Sequence, residues 1–344
     1  MVKVNSTKEL LVPGYDIIGD VHGCADELEE LLGSLGYRIV PSSGAYRHPN
    51  RQAIFVGDLI DRGPSQLRVL EMVKAMVDSG SAQIVMGNHE FNALAYATED
   101  PQDPDTFLRP HNAKNAGQHV AFLEQLSVER KSLYVAWFMT FPLWLDLGEL
   151  RVVHACWHHP SIALIEQRLN GNRFSSIEQL ADAARTTDIP TPLYAAVETI
   201  LKGPELDLVK YGAKMFKDKD GNVRRDARVR WWLGGATTLP QLAEVPPSSS
   251  DEGDQPYGEL PDVLVDEIDQ SYSYEGPIPV IYGHYWRTGV PVEHEDWTPL
   301  TACVDFSAVN DGTMVAYRWA GESRIDWRNY HPHGRNLIEH APTK

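Results

Sequence analysis

The stretch that decides the fold is DIIGDVHG at residues 16–23, a short apolar run that ends in an aspartate and a histidine two positions apart. Such runs are typical of strands in open α/β sheets, where ligands bind beyond the carboxyl ends of the strands. Asp20 and His22 project to the same side and could bind one ion. The alternative is that Asp20 only caps the following helix and that His22 is an ordinary loop residue.

Two later segments repeat this order of strand, polar turn and helix. Residues 52–56 are followed by GDLIDRG at 57–63, and residues 82–86 are followed by GNHE. Strand ends that served packing alone would carry apolar or capping residues. Three strands that end in Gly-Asp, Gly-Asp and Gly-Asn therefore indicate one shared polar site.

The composition limits the classes of function. The chain has 344 residues and a formal net charge of -17, which argues against non-specific binding to nucleic acid. An anionic substrate would need local positive charge, and bound divalent cations supply it. The three cysteines form no CxxC pair, so we expect neither disulfides nor a thiolate zinc site and place the protein in a reducing cytoplasm.

The chain carries no sign of a membrane partner. Residues 1–12 lack a long apolar core and do not read as a signal peptide. No apolar run approaches the roughly 20 residues of a membrane span.

The polar residues at the predicted strand ends are all oxygen or imidazole donors: Asp20, His22, Asp58, Asn88, His154 and His284. This set suits manganese, iron, zinc or nickel. Here the sequence resembles the calcineurin-like metallophosphoesterases of the phosphoprotein phosphatase superfamily. The resemblance is to its bacterial diadenosine tetraphosphatase-like members and to the phosphatase domain of polynucleotide kinase-phosphatase. The matching motifs are GDVHG (19–23), GDLIDRG (57–63), GNHE (87–90), VVHA (152–155) and YGH (282–284).

The resemblance implies a fold. We expect a four-layer α/β/β/α sandwich with a dinuclear metal site at the carboxyl ends of its central strands. One domain should span residues 13–322, with helical or loop insertions at about 99–130 and 161–275 and a tail at 323–344. The polar insertion at 99–130 should cover one edge of the site.

It also implies a ligand set for two divalent ions, with manganese expected and iron, zinc or nickel as alternatives. The first ion would be held by Asp20 and His22, and the second by the residues Asn88, His154 and His284. Asp58 would bridge them, because a carboxylate has two oxygens and can hold ions about 3.5–4 Å apart. A water shared by the ions would attack phosphorus in line.

Three further residues have roles in similar proteins. His89 would protonate the leaving group, Asp61 would orient His89, and Arg62 would grip the phosphoryl oxygens with help from Asn88. The alternatives are a surface ion pair between Arg62 and Asp61, and a plain helix cap for Asp61.

The second phosphate-binding arginine of this superfamily has no motif here. Arg230, just before Trp231, is our choice from four candidates, which are Arg224, Arg225, Arg228 and Arg230.

The sequence departs from its family in places that bear on the substrate. Asp61 is often absent from symmetrical diadenosine tetraphosphatases, so its presence favours the protein-phosphatase-like branch. Ala155 is followed by Cys156 where glycine is common, and Asp305-Phe-Ser307 replaces Asp-Thr-Gly. These changes concern the shape of the substrate and leave the metal ligands intact.

We therefore predict a metal-dependent phosphoesterase that hydrolyses phosphoric esters or anhydrides. Its substrate would be a phosphorylated small molecule, a dinucleoside polyphosphate or a phosphoprotein. Two alternatives stay open: a nucleotide or phosphoprotein binding module without turnover, and a polynucleotide-end phosphatase, which needs a basic groove that a charge of -17 does not promise.

Overall fold

The computed structural model describes residues 14–185, 190–218, 221–246, 249–251, 255–310 and 312–333. Its strands are β1 (Gly14–Ile18), β2 (Arg38–Ile39), β3 (Tyr46–Arg47), β4 (Arg51–Phe55), β5 (Ala82–Ile84), β6 (Glu99–Asp100), β7 (Asp103–Phe107), β8 (Trp144–Asp146), β9 (Arg151–Val153), β10 (Glu205–Asp207), β11 (Phe216–Lys217), β12 (Val223–Arg224), β13 (Asp226–Val229), β14 (Ala243–Glu244), β15 (Val280–Tyr282), β16 (Trp297–Thr298), β17 (Thr301–Cys303), β18 (Asp305–Phe306), β19 (Thr313–Trp319) and β20 (Tyr330–His333).

The helices are α1 (Ala25–Leu35), α2 (Gln66–Asp78), α3 (Asn88–Ala97), α4 (Ala113–Gln118), α5 (Val120–Gln125), α6 (Val128–Phe138), α7 (His159–Leu169), α8 (Ile177–Ala184), α9 (Pro192–Lys202), α10 (Leu239–Leu242) and α11 (Glu267–Gln270), with short 3-10 turns at Val209–Tyr211, Ala308–Asn310 and Trp327–Asn329. In the part of the chain that the structure describes, no helix combines the length and the apolar character needed to cross a membrane.

Two mixed sheets form the centre of the molecule. In the first, β1, β4 and β5 are parallel neighbours, and β19 joins β1 in the antiparallel sense with β18 and β20 beyond it. In the second, β9, β15 and β17 are parallel, and β8 and β16 close the two edges in the antiparallel sense. The carboxyl ends of each parallel set therefore lie along one edge of its sheet.

Alternation along the strands divides the apolar side chains between two cores. On β1 and β4, Ile17 and Ile54 belong to a core that also contains Val152 of β9 and Ile281 of β15, so this core lies between the sheets. Successive side chains on a strand point to opposite faces of the sheet. Ile18, the next residue along β1, therefore belongs to a second core, which the first sheet shares with the helices. Two sheets with helices on their outer faces confirm the predicted four-layer sandwich.

The helix after β1 shows how closely local pattern matches structure here. Leu28, Leu31 and Leu32 form the buried face of α1. Gly36 ends the helix with a φ of 100°, a left-handed conformation that costs glycine little. The helix predicted to follow the first strand and polar turn is thus confirmed.

Three predictions about the periphery were wrong in part. The insertion at 99–130 contains the β6–β7 hairpin besides α4 and α5. Residues 161–275 are helical through α7, α8 and α9, but then form a small sheet of β10, β13 and β14 and the β11–β12 hairpin. The predicted tail enters the first sheet, because β20 pairs with β19; residues 334–344 lie outside the described range.

Candidate functional site

The strand ends of both sheets bring the predicted metal ligands together. Asp20 and His22 follow β1, Asp58 follows β4 and Asn88 follows β5, while His154 follows β9 and His284 follows β15. We call these six residues the metal-ligand cluster: Asp20, His22, Asp58, Asn88, His154 and His284. All six side chains are buried. Side chains as polar as these are rarely buried unless they are paired or bind metals.

Two alternatives raised by the sequence are thereby excluded. The residue that caps α1 is Cys24, and Asp20 lies four residues earlier. The residue that caps α2 is Ser65, so Asp61 is no helix cap either.

The imidazoles of the cluster are oriented by the backbone. The Nδ1 atoms of His22 and His154 lie 2.8 Å from the carbonyl oxygens of Ile60 and Val56, respectively. A carbonyl oxygen only accepts hydrogen bonds, so Nδ1 is the donor, and in the neutral ring Nε2 is the nitrogen that can bind a cation. The two Nε2 atoms lie 3.7 and 3.5 Å from Oδ2 of Asp58. Nε2 of His22 is buried and has no hydrogen-bond partner among the residues described, as expected of a metal ligand.

The second sheet completes the arrangement. Oδ1 of Asn88 lies 3.0 Å from Nε2 of His154 and 2.9 Å from Nδ1 of His284. Two sets of donor atoms each lie within 4.8 Å of one another, and both contain Asp58: His22 and His89 complete the first set, His154 and His284 the second. Asp20 is in neither set; its carboxylate accepts the backbone N–H of His284 at 3.2 Å. Asp58 is thus shared by both donor sets, and the donors fit two divalent cations.

Burial and neighbouring charges shift the pKa values of three of these ligands toward the forms that bind metals. It lowers the pKa of His22 to about 3 and, together with the charge of Arg228, lowers that of His284. Burial alone would raise the pKa of Asp58, but His154, His89 and His22 hold it well below its usual range. Neutral imidazoles and an ionised carboxylate are the forms that bind metals.

Backbone strain is concentrated at the same place. Six of the nine non-glycine residues with positive φ in the described ranges belong to the site: His22, Asp58, Asp61, Arg62, His284 and Trp286. Such conformations cost about 1–3 kcal/mol each and persist only where the surroundings enforce them. Gly87 has a related role, since a Cβ there would overlap Oδ1 of Asp58.

Asp61 is shared by two histidines. Its Oδ2 lies 2.6 Å from Nδ1 of His89, and its Oδ1 lies 2.7 Å from Nδ1 of His119. A carboxylate only accepts hydrogen bonds, so both Nδ1 atoms donate. These two bonds lower the pKa of Asp61 against the opposing effect of burial. Nε2 of His89 is left facing the cluster, 3.9 Å from Oδ2 of Asp58 and 3.4 Å from the Arg62 guanidinium.

Arg62 is held by an aromatic ring rather than by a carboxylate. Its guanidinium carbon lies 3.7 Å from the centre of the Trp286 ring, and no ion pair joins Arg62 to Asp61 among the residues described. The backbone N–H of Trp286 donates to Oδ2 of Asp305 at 2.7 Å. The atypical segment 305–307 therefore positions the residue on which Arg62 stacks, a link that no motif predicted.

Arg228 is another candidate for the second phosphate-binding arginine, besides the predicted Arg230. Arg228 of β13 lies 5.4 Å from the ring of Tyr285, and its charge lowers the pKa of His284. No described contact joins the Arg230 side chain to the metal-ligand cluster. Of the other two candidates, Arg224 pairs with Asp218 and Arg225 with Asp207.

A pocket of about 600 Å³ opens beside the cluster and is bordered by Arg62, Asn88 and His89. Its further wall comes partly from the insertion at 99–130, which confirms that this insertion covers one edge of the site. The pocket is lined by five basic side chains, those of Arg62, Arg109, Lys114, Lys202 and Arg224. We call it the cationic pocket. Sequence reasoning missed Arg109 and His119, although Asn88, Asn92 and Tyr96 recur every four residues and mark the face of α3 that lines it.

Comparison with known proteins agrees with this chemistry. A sequence model of the calcineurin-like phosphoesterases matches residues 15–212. Over 75 residues the chain is 53% identical to the asymmetrical bis(5'-nucleosyl)-tetraphosphatase PrpE of Oceanobacillus iheyensis, covering 22% of this chain and 29% of that protein. Over 148 residues it is 36% identical to PrpE of Bacillus subtilis, covering 41% and 57% of the two chains. These alignments span less than two thirds of the relatives' own lengths.

Solved structures with a similar course of the chain include protein phosphatases. A cold-active protein-tyrosine phosphatase of a Shewanella species is 14% identical with a TM-score of 0.44, over 91% of this chain and 80% of that one. A protein serine/threonine phosphatase of Saccharomyces cerevisiae is 13% identical with a TM-score of 0.44, over 98% and 84% of the two chains.

Proposed function

The chain belongs to the calcineurin-like phosphoesterase family, and on this premise we propose that it hydrolyses phosphoric esters or anhydrides with the help of two divalent metal ions. The observation that carries the proposal is the convergence of imidazole nitrogens on Asp58, with the pair of His89 and Asp61 directly beside it. A ligand set and a proton donor in one buried site are what hydrolysis of a phosphate bond requires.

The donors that would hold the ions fall on the two sides of Asp58. We assign Asp20 and His22 to one ion, Asn88, His154 and His284 to the other, and Asp58 to both. When bound, the ions supply Lewis acidity, which lowers the pKa of a water and neutralises phosphate charge. Manganese is our expected ion, because the donors are oxygen and imidazole without thiolate; iron, zinc and nickel suit the same set.

The proton for the leaving group would come from His89. Its Nδ1 donates to Asp61, so Nε2 is the end that can donate toward a substrate. The attacking water first gives up a proton to solvent. As the bond from its oxygen to phosphorus forms, the bond to the leaving oxygen breaks, and the Nε2 proton passes to that leaving oxygen. The charge of Asp61 favours the protonated ring: with Asp58, it raises the pKa of His89 against the effect of burial.

The phosphoryl oxygens would be gripped by arginine. Arg62 lies next to His89, and among the described residues the Trp286 ring rather than a carboxylate holds it, so its charge is not neutralised by an ion pair. We propose Arg228 as the second such residue in place of Arg230, because its charge acts on His284. A planar guanidinium can bind two oxygens of one phosphate at once.

The relatives guide the choice of substrate. Two are bis(5'-nucleosyl)-tetraphosphatases by name, which supports a dinucleoside polyphosphate as substrate. We also place the protein in the cytoplasm, since all three cysteines are free and buried.

The proposal is tested by turnover that depends on metal. The full chain, stripped with a chelator, should be inactive toward p-nitrophenyl phosphate and diadenosine tetraphosphate. Addition of manganese should restore both activities, and a serine phosphopeptide completes the panel. Metal-loaded protein that binds diadenosine tetraphosphate in calorimetry but hydrolyses nothing in the panel would instead make it a binding module.

A further inference from the structure

The cationic pocket contrasts with the charge of the whole molecule. The chain carries a net charge of -17, yet the pocket is lined by five basic side chains and by one carboxylate, that of Asp61. Asp61 already accepts hydrogen bonds from His89 and His119. A local excess of positive charge in an acidic protein indicates that this pocket binds an anion.

Two of the five basic residues are already neutralised. Lys202 pairs with Glu198 at 2.6 Å, and Arg224 pairs with Asp218 at 2.9 Å. Arg109 and Lys114 come from the insertion at 99–130, and neither forms an ion pair within the described ranges. The positive charge still available to a ligand is therefore that of Arg62, Arg109 and Lys114.

Arg109 is fixed in place without being neutralised. Its side chain is half-buried and donates to Oδ1 of Asn92 at 3.0 Å and to Oε1 of Gln118 at 2.8 Å. Both acceptors are neutral amides, so they orient the guanidinium and leave its charge intact. Its backbone N–H donates to Ala95, which ties this part of the insertion to α3. Burial lowers the pKa of Arg109 although the charges of Glu198 and Asp61 act to raise it, and a bound anion would offset the cost of burial.

The pocket adjoins the acid that serves the leaving group. Arg62, Asn88 and His89 belong both to the site and to the pocket wall, whereas Asp20, His22 and Asp58 do not line the pocket. A substrate whose scissile phosphate lies at Arg62 would direct its leaving group past His89 into this space. The ligand of Arg109 is then the part of the substrate beyond the scissile bond.

We propose that Arg109, held by Asn92 and Gln118 and assisted by Lys114, binds a phosphate group of the leaving group. The chain would therefore select substrates whose leaving group is itself a phosphate or polyphosphate over esters with an uncharged alcohol. This inference rests on the proposed function, and it assigns to the insertion at 99–130 the selection between anhydrides and simple esters.

The test compares two competitive inhibitors of p-nitrophenyl phosphate hydrolysis by the manganese-loaded chain. Inorganic phosphate fills only the position of the scissile group, whereas inorganic tripolyphosphate also extends beyond it. In Arg109→Gln we expect the ratio of the tripolyphosphate inhibition constant to the phosphate inhibition constant to rise about 10- to 100-fold, as for loss of a charge-assisted contact. Arg109→Lys should give an intermediate ratio, because it keeps the charge and loses the fork.

Arg168→Gln is the matched control, since it removes an exposed arginine outside the pocket. Its ratio should equal that of the wild type, and chelation of manganese by tripolyphosphate affects every variant alike. Thermal unfolding of each variant shows whether the fold is intact, and direct calorimetry of tripolyphosphate repeats the comparison without turnover. An equal ratio in folded Arg109→Gln and wild type would overturn the subsite. Absence of all hydrolysis by the wild type would instead remove the proposed function, and calorimetry would still decide on Arg109.

Discussion

The metal-ligand cluster and the cationic pocket share Asn88 but are formed in different ways. Each member of the cluster follows a central strand within four residues, so the two sheets determine where it lies. The pocket takes Arg109 and Lys114 from an insertion that holds to α3 through bonds such as that between Arg109 and Asn92. The first region is fixed by the backbone of the core, and the second by side chains at its surface.

This difference separates the chemistry from the choice of substrate. Strand ends held by two cores give ligand positions that cannot shift without disturbing the whole fold. An inserted segment held by a few hydrogen bonds can change its residues at little cost to the fold. Changes in the cluster should therefore affect every substrate, whereas changes in or near the pocket should affect substrates selectively.

The largest effect is expected from Asp58→Asn. The substitution removes the one carboxylate that belongs to both donor sets, so metal content should fall from about two ions per chain toward one. Activity should fall about 10⁴-fold or more on every substrate, because several kcal/mol of transition-state stabilisation depend on both ions. Elemental analysis and steady-state kinetics measure the two quantities. Full activity with one ion per chain would contradict the bridging role.

A smaller and selective effect is expected at His89. In His89→Asn, the side-chain amide can place a donor near the position of Nδ1 and so keep the hydrogen bond to Asp61. The asparagine has no counterpart of Nε2. Activity on phenyl phosphate should fall about 10²- to 10⁴-fold, while p-nitrophenyl phosphate, whose leaving group needs less protonation, should lose clearly less. The metal content should stay that of the wild type. Equal losses on both esters would mean that His89 does not act as the acid.

The two regions also differ in how far the sequence predicted them. All six cluster residues were predicted, because each stands in a short motif directly after a strand. The structure brings these six together, and it places Asp61 and Arg62 of the motif at 57–63 beside them. Short-range patterns suffice where the chain enters and leaves a regular sheet.

Contacts between segments that are far apart in the sequence were not predicted. His119 meets Asp61 across 58 positions, and Trp286 lies 224 positions beyond Arg62, so no local pattern joins either pair. Arg230 was chosen for its neighbouring tryptophans, whereas Arg228 of β13 is the candidate whose charge lowers the pKa of His284. The small sheet at 205–244 was missed because strands of two to four residues with polar sequence carry almost no periodicity.

The smallest effect is expected at His119, a residue of the pocket wall that contacts Asp61. Nδ1 of His119 donates to Oδ1 of Asp61, the carboxylate that also holds His89, and the ring stacks on Phe122 at 4.8 Å. His119→Ala should lower activity on phenyl phosphate about 10-fold, the effect of one hydrogen bond to a charged group, and should hardly change p-nitrophenyl phosphate turnover.

The matched substitution at His119 distinguishes positioning from acid catalysis. His119→Asn can restore the donor at the position of Nδ1 and should recover most of the activity on phenyl phosphate, whereas His89→Asn should not, because His89 also needs Nε2. A purely structural role for His119 would lower turnover of both esters equally and would appear as a lower midpoint of thermal unfolding. If His119→Asn were as impaired as His119→Ala, the hydrogen bond from Nδ1 to Asp61 would not be what His119 contributes, and its positioning role would be contradicted.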